Sequence, residues 1–519
     1  MKVVTTHTMQ EIDRQAIEEF GIPSLDLMEN AGQSCVDAII SGFGPTGSAT
    51  IIAGKGNNGG DGYVIARLLR LAGWSVTVHV LAEHSQISGD AAINLERLPK
   101  DIVAYCPHEG QLPARYRDDI ARADVIVDAM LGTGLSSDVS GVYRDAIEII
   151  NASGRPVLSV DIPSGIHGTT GRVLGDAVHA SVTVSFACAK LGHVLFPGAE
   201  YSGRLIIADI GIPPAVMEAV PGYELLNDET ISPLLRRRDR QAHKGDFGHC
   251  LVIAGSTGKT GASALSANSA VRAGSGLVTL AVAESLHCIL EIKSTEVMTV
   301  PLPDSNSGYL TGRAFPAIEK LLQGKDALAL GPGLGRHSGT TALVQKIVES
   351  VSLPMVIDAD GLNALSGHCT SLRRKKSDQI VLTPHPGEMA RLLGTSIPGI
   401  EADRIQTALE FARNFGVYLV LKGARTIIAS PDGTAAINSS GNPGMASGGM
   451  GDVLTGIIAS LLGQRYSAWD ACCMGVFIHG YAADMVAEQK GEIGICATDV
   501  QEMLPYAYNK LIRTNQNFI

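Results

Sequence analysis

Aromatic residues occupy 5% of this 519-residue chain and charged residues 18%. Nine cysteines lie scattered at Cys35, Cys106, Cys188, Cys250, Cys288, Cys369, Cys472, Cys473 and Cys496, with no Cys-x-x-Cys pair and no metal-ligand spacing. That excludes a disulfide framework or a zinc site as the organising principle and leaves reduced, mostly buried thiols. Basic residues number 41 against 52 acidic ones, a net charge of -11. No basic face is on offer for a phosphate backbone, so no nucleic-acid partner is expected. No apolar run reaches membrane length, and the opening Met1-Lys-Val-Val-Thr-Thr-His-Thr8 carries no apolar leader. A cytoplasmic protein without a membrane partner is expected. Short-period repeats and low-complexity segments are also missing.

Glycine is plentiful, at 59 residues. Many glycines with few aromatics suit an α/β protein full of tight strand-to-helix turns. After two helices (10–20 and 25–41), short β-branched runs alternate with helical spacing: strands at 49–53, 75–81, 125–129, 157–161, 182–186 and 205–208, helices at 61–72 and 141–152. This predicts a parallel sheet covered on both faces. Pro213-Pro214, Pro221-Gly222, Pro233 and the basic run Arg236–Arg240 interrupt the series. The basic run reads as a solvated segment, with a phosphate contact as the alternative. A second α/β series begins at 250–254 and continues through 277–282, 327–330, 355–358, 380–383, 417–422 and 426–429 to a helical portion from about 451. The predicted domains are 1–224 and 225–519.

The first glycine-rich loop, Gly54-Lys-Gly-Asn-Asn-Gly-Gly-Asp-Gly62, joins a strand to a helix. Its glycines fit the Gly-x-Gly-x-x-Gly dinucleotide fingerprint, and Glu83 ends the next strand, but a lone fingerprint is weak evidence. Asn57, Asn58 and Asp61 add side-chain oxygens to the N–H groups of a helix start. Two more loops end strands: Asp128-Ala-Met-Leu-Gly-Thr-Gly-Leu-Ser-Ser-Asp138 and Asp161-Ile-Pro-Ser-Gly165. Asp128 and Asp161 would face the same crevice as Asn58 and Asp61, a hard-oxygen set suited to an alkali cation; a helix N-cap is the alternative for either aspartate.

In the second series, Asn442-Pro-Gly-Met-Ala-Ser-Gly-Gly-Met-Gly-Asp-Val-Leu-Thr-Gly456 sets glycines before an aspartate at a helix start. Backbone N–H groups there can hold a transferring phosphoryl group, and Asp452 can act as base toward a hydroxyl. The pattern resembles the phosphate end of ribokinase-fold kinases. Lys422-Gly-Ala-Arg-Thr426 closes a strand where that fold borders its nucleotide. Thr383-Pro-His-Pro-Gly-Glu388 places His385 and Glu388 at another strand end; His385 contacts the acceptor or simply starts a helix. Gly255-Ser-Thr-Gly-Lys-Thr260 has two residues between Gly255 and Gly258-Lys259 where a Walker A loop needs four, so Lys259 reads as exposed loop. Gly261-Ala262 and Gly331-Pro-Gly-Leu-Gly335 read as backbone-lined pocket walls.

Gly56–Asp61, Asp161–Gly165, Thr383–Glu388, Lys422–Thr426 and Asn442–Gly456, in this order, resemble the bifunctional NAD(P)H-hydrate repair enzymes over nearly the whole chain. The resemblance implies a Rossmann-like three-layer α/β/α epimerase domain followed by a ribokinase-like α/β dehydratase domain. It implies epimerisation of R- and S-NAD(P)HX and ADP-dependent dehydration of the S form. The substrates are then NADHX, NADPHX and ADP; K+ serves the first site, Mg2+ accompanies ADP at the second, and the chain forms a homo-oligomer. Carried over by position, the hydrate binds at Asn57, Asn58, Gly59, Gly60 and Asp61, at Gly132, Thr133, Gly134, Leu135, Ser136, Ser137 and Asp138, and at Asp161. K+ falls to Asn58, Asp128 and the Ser164 carbonyl. In the second half the hydrate meets Ala262, Gly333, His385 and Asp452, and the nucleotide meets Lys422, Gly423, Ala424, Arg425, Thr426 and Gly451. Asp161 and Asp452 are the expected catalytic residues. The alternatives are a small-molecule kinase with a regulatory Rossmann-like module, a nicotinamide oxidoreductase, and an N-terminal half that only binds.

Overall fold

The computed structural model describes residues 1–106 and 112–514. The chain divides into two compact units, Lys2–Tyr223 and Glu224–Ile519 with Met1.

The first unit is built on seven parallel strands. Their spatial order is Val103–Tyr105, Ser75–Val80, Ser48–Ala53, Val125–Ala129, Val157–Val160, Val182–Phe186 and Arg204–Ala208. Successive residues point to opposite faces. Ile51 and Val127 enter one apolar core and Ile52 and Ile126 another, so both faces are covered and the strands read as continuous β-branched runs. Counted in chain order, the strands lie 3-2-1-4-5-6-7. The direction reverses between Ser48–Ala53 and Val125–Ala129, where an open α/β sheet offers its crevice.

Glycine is required at that reversal because backbones touch. A Cβ on Gly54 would stand 1.9 Å from the Met130 carbonyl oxygen, one on Gly59 2.1 Å from the Gly54 carbonyl oxygen, and one on Gly62 2.7 Å from the Ala129 Cβ. Gly54, Gly59 and Gly62 therefore serve close packing, whereas Gly56 has open space around it. The helix starts at Asn57, four residues before the sequence predicts, with Gly56 as its N-cap. Glu83 is exposed and caps the short turn His84–Gln86.

The second unit repeats the same order with different strands: Met298–Leu302, Leu277–Ala283, His249–Ile253, Ala327–Leu330, Met355–Ile357, Ile380–Leu382 and Tyr418–Leu421, all parallel. Ile427–Ala429 and Ala435–Asn438 extend the sheet antiparallel. This is the ribokinase-like α/β arrangement that the glycine-framed aspartate suggested. Helix Met450–Gly463 is buried over nearly its whole length, and Ala468–Lys490 packs beside it in the same core. Among the described residues no helix is long and apolar enough to cross a membrane. The strands Met298–Leu302 and Ala435–Asn438 are not legible in the sequence. The first is an edge strand containing Pro301 and the second is half alanine, so neither carries a strong β signature.

Candidate active sites

In the first unit, Asn57 is exposed at the helix start, whereas Asn58, Gly59, Gly60 and Asp61 are buried. Gly132 adjoins the Asn58 side chain, and Thr133 to Asp138 continue as a partly exposed loop. Asp161 ends its strand with φ at 63°, a conformation rare for a residue bearing a side chain. Its side chain is 14% exposed and forms an ion pair with the buried Lys190, a partner the sequence did not reveal. Burial pushes the Asp61 carboxyl well up, with the Asp161 and Asp13 carboxylates adding to it. Burial likewise pushes Asp13 up to about 6. Burial thus favours the protonated form of Asp61, which lies near an Asp161 paired with Lys190.

Asp128 does not face the crevice as the sequence predicts. It is fully buried and ties its own strand end to the neighbouring strand and to the loop after it. Its Oδ2 accepts the Ser159 hydroxyl at 2.8 Å and the Ser164 N–H at 2.9 Å. Its Oδ1 accepts the Ser164 hydroxyl at 2.5 Å and the Met130 N–H at 3.3 Å. Burial raises its pKa and the serine hydrogen bonds oppose the rise.

In the second unit, Ala262, Gly333, His385 and Asp452, far apart in sequence, line one cavity of about 410 Å³. Gly333 must be glycine, since its φ is 64° and a Cβ would lie 3.1 Å from that of Ala262. Ala359, also on the wall, has φ at 50°, so strain sits at this cavity. His385 does cap a helix, its Nδ1 accepting the Gly387 N–H at 3.0 Å. Its other ring nitrogen stands 3.6 Å from Glu388 Oε1.

Lys259 is exposed in its loop, as the sequence has it, yet it is paired. It pairs with Asp360 at 2.7 Å on the cavity wall, and Arg336 approaches the same carboxylate at 3.6 Å. Behind the cavity, the Lys422 ammonium bonds Asp358 at 2.8 Å and lies 3.8 Å from Glu388. Thr455 donates to the other Asp358 oxygen at 2.8 Å. Gly451 leaves room beside this pair: a Cβ there would be 3.2 Å from Lys422 Nζ. Asp452, in the first turn of its helix, takes no hydrogen bond from the described residues. Burial, then the Asp358 charge, push it up to about 7.

Gly423, Ala424, Arg425 and Thr426 turn between two strands. Arg404, which sequence reasoning missed, is 13% exposed and clamps that turn. It donates to the carbonyls of Ala424 at 2.7 Å, Lys422 at 3.2 Å and Leu421 at 3.3 Å. Arg425 donates to the Ser439 carbonyl at 2.6 Å. The basic run is solvated, as its first reading has it, with Arg236 over the Tyr466 ring at 4.2 Å and Arg238 over Phe247 at 3.8 Å.

Buried carboxylates at one switch point and a glycine-framed aspartate over a cavity at the other define an enzyme with two α/β units and two sites. Similarity to known proteins narrows the class further. A family model described as NAD(P)H-hydrate dehydratase matches residues 250–506, and one described as YjeF-related protein N-terminus matches 24–192. The bifunctional NAD(P)H-hydrate repair enzyme Nnr of Moorella thermoacetica is 44% identical, covering 98% of this chain and 97% of its own. That of Thermofilum pendens is 42% identical over the same shares. An ADP/ATP-dependent NAD(P)H-hydrate dehydratase from Bacillus subtilis, co-crystallised with ATP/Mg2+, is 27% identical with a TM-score of 0.49, covering 56% of this chain and 99% of that one. The chain belongs to the family of bifunctional NAD(P)H-hydrate repair enzymes.

The raised Asp452 pKa has a consequence for stability. A carboxyl whose folded value lies above its unfolded one contributes stability that is full below pH 3.8 and is lost as pH rises through about 7. Asp452→Asn removes that loss. Its thermal midpoint should exceed that of the wild type by a margin that grows from pH 4 to about 7 and then levels. A margin flat across this range in thermal unfolding scans would show that Asp452 titrates normally.

Proposed function

We propose that residues 1–224 form a domain that epimerises R- and S-NAD(P)HX. Residues 225–519 then form one that dehydrates S-NAD(P)HX to NAD(P)H with ADP, giving AMP and phosphate. The observation that carries this reading is the single cavity shared by Ala262, Gly333, His385 and Asp452. In the dehydratase, Asp452 takes the proton of the C6 hydroxyl as its oxygen attacks the terminal phosphorus of ADP and AMP departs. The N–H groups at the Gly449–Asp452 helix start receive the phosphoryl oxygens. Phosphate then leaves C6 with the bonding electrons, pushed by the ring nitrogen lone pair, and loss of a C5 proton restores the double bond.

The nucleotide lies along Lys422 to Thr426 and Gly451, a turn whose backbone Arg404 holds. Among the described residues no three His, Cys, Asp or Glu side chains cluster as a metal site. Mg2+ arrives on nucleotide phosphates and needs only one or two carboxylates from the protein. Glu388 on the cavity wall is the candidate. The ion would supply charge neutralisation at the phosphoryl oxygens.

In the epimerase, Asp161 takes the C6 hydroxyl proton as the bond from C6 to the ring nitrogen breaks toward nitrogen. Asp61 returns a proton to that nitrogen. The carbonyl so formed turns, and reclosure gives the other epimer. The residues fit K+. Asn58 Nδ2 is buried without a partner, and turning that amide presents its oxygen instead. The Ser164 hydroxyl has an alternative acceptor in the Leu131 carbonyl at 3.2 Å, so Asp128 Oδ1 can be released to a cation. Hard oxygens suit an alkali ion, which would offset the Asp128 charge and hold the three loops.

Asp452→Asn should lower dehydration of S-NADHX by roughly 10²–10⁴ and leave epimerisation intact. In the wild type, dehydration should rise with pH through about 7 as Asp452 ionises. Near-normal dehydration by the folded variant would remove Asp452 from the chemistry. Fragments 1–224 and 225–519, made separately, should each fold, the first converting R to S and the second consuming only S. Two inactive fragments beside an active full chain would contradict this division. Restoring K+ to K+-free buffer should raise wild-type epimerisation and have little effect on Asp128→Ala. An equal response in both would place the ion elsewhere.

A further inference from the structure

Asp161 holds its left-handed backbone at φ 63° because His193 braces it. The Nε2–H of His193 donates to the Asp161 carbonyl at 2.9 Å, while Nδ1 accepts the Lys190 N–H at 3.0 Å. Those two bonds set the tautomer, and burial, then the Lys190 charge, keep the ring neutral, with a pKa of about 3. His193 thereby ties the backbone of Lys190 to that of Asp161.

The Lys190 side chain is 1% exposed. Its ammonium donates to Asp161 Oδ1, to the Ser185 hydroxyl at 2.9 Å and to the Phe186 carbonyl at 3.4 Å. The Phe186 N–H also lies 3.4 Å from Asp161 Oδ1. Oδ2 receives no donor among the described residues. One carboxylate oxygen is thus anchored and the other is free. The charged and titratable groups around this pair are the Asp61 and Asp13 carboxyls, Cys35 and His193. Among these groups Lys190 supplies the cation.

We propose that Lys190 is the positioning residue of the epimerase site, its ammonium anchoring Asp161 Oδ1, aimed by Ser185 and His193, so that Oδ2 is presented as base to the C6 hydroxyl. This rests on reading the first unit as the epimerase. A buried lysine that served only the fold would stabilise without affecting turnover. One that aims a base acts on kcat and spares KM.

The full chain tests it, because dehydration of the S form by the same molecule is an internal control. Conversion of R-NADHX to S-NADHX is followed by chromatography for wild type, Lys190→Met and Ser185→Ala, with thermal unfolding of each. Lys190→Met should lose about 10²-fold or more in epimerase kcat, with KM within about threefold and dehydration unchanged. Ser185→Ala keeps the charge and loses one aiming hydrogen bond, and should lose roughly 2- to 10-fold in kcat. If Lys190→Met loses its first unfolding transition, Ser185→Ala decides: unchanged kcat overturns the proposal. A folded Lys190→Met with near wild-type kcat, or with only KM raised, overturns it too. A wild type that does not convert R to S overturns the epimerase reading itself.

Discussion

Each site pairs one buried ammonium with a carboxylate that follows a strand and leaves another carboxyl to burial. In the first unit Lys190 pairs with Asp161 while Asp61 and Asp13 are left to burial. In the second, Lys422 pairs with Asp358 and approaches Glu388, while Asp452 is pushed up to about 7. A buried carboxylate without a cation favours its neutral form, and one with a cation stays charged. Environment thus sorts chemically identical side chains into acids, bases and anchors. A base poised near neutrality suits proton abstraction from a hydroxyl.

These groups lie together because both sheets run their parallel strands in the order 3-2-1-4-5-6-7. Asp161, Gly331, Asp358, His385 and Lys422 each follow the last residues of a strand. The strands carry the apolar core, and the strand ends carry the chemistry. Backbones approach closely at Gly54, Gly59 and Gly333, and Asp161 and Ala359 hold positive φ beside the candidate sites.

Much of this was legible in the sequence. Alternating β-branched runs gave the sheets, the loops at 54–62 and 128–138 follow strands as expected, and the glycine-framed Asp452 starts a helix as expected. Three kinds of feature were not. Lys190 follows Cys188-Ala189 with no motif around it, and its link to Asp161 spans 29 positions. Lys259 and Arg404 look like loop and helix-surface cations until their partners, 101 and 20 positions away, fold against them. The hard oxygens that end its strand mark Asp128, but not the Ser159 and Ser164 hydroxyls that close over it. Local patterns expose backbone requirements, whereas ion pairs between distant strand ends emerge only with the fold.

One chain makes both epimers of a hydrated nicotinamide cofactor usable. The most direct test of this is to give the full-length protein a mixture of R- and S-NADHX with ADP, Mg2+ and K+, and to follow the near-ultraviolet absorbance of the reduced nicotinamide ring. Absorbance should recover to the level expected from both epimers, with AMP and phosphate formed in equal amounts. Recovery that stops at the S fraction would contradict the epimerase, and a phosphorylated cofactor that accumulates without recovery would make the second unit a kinase.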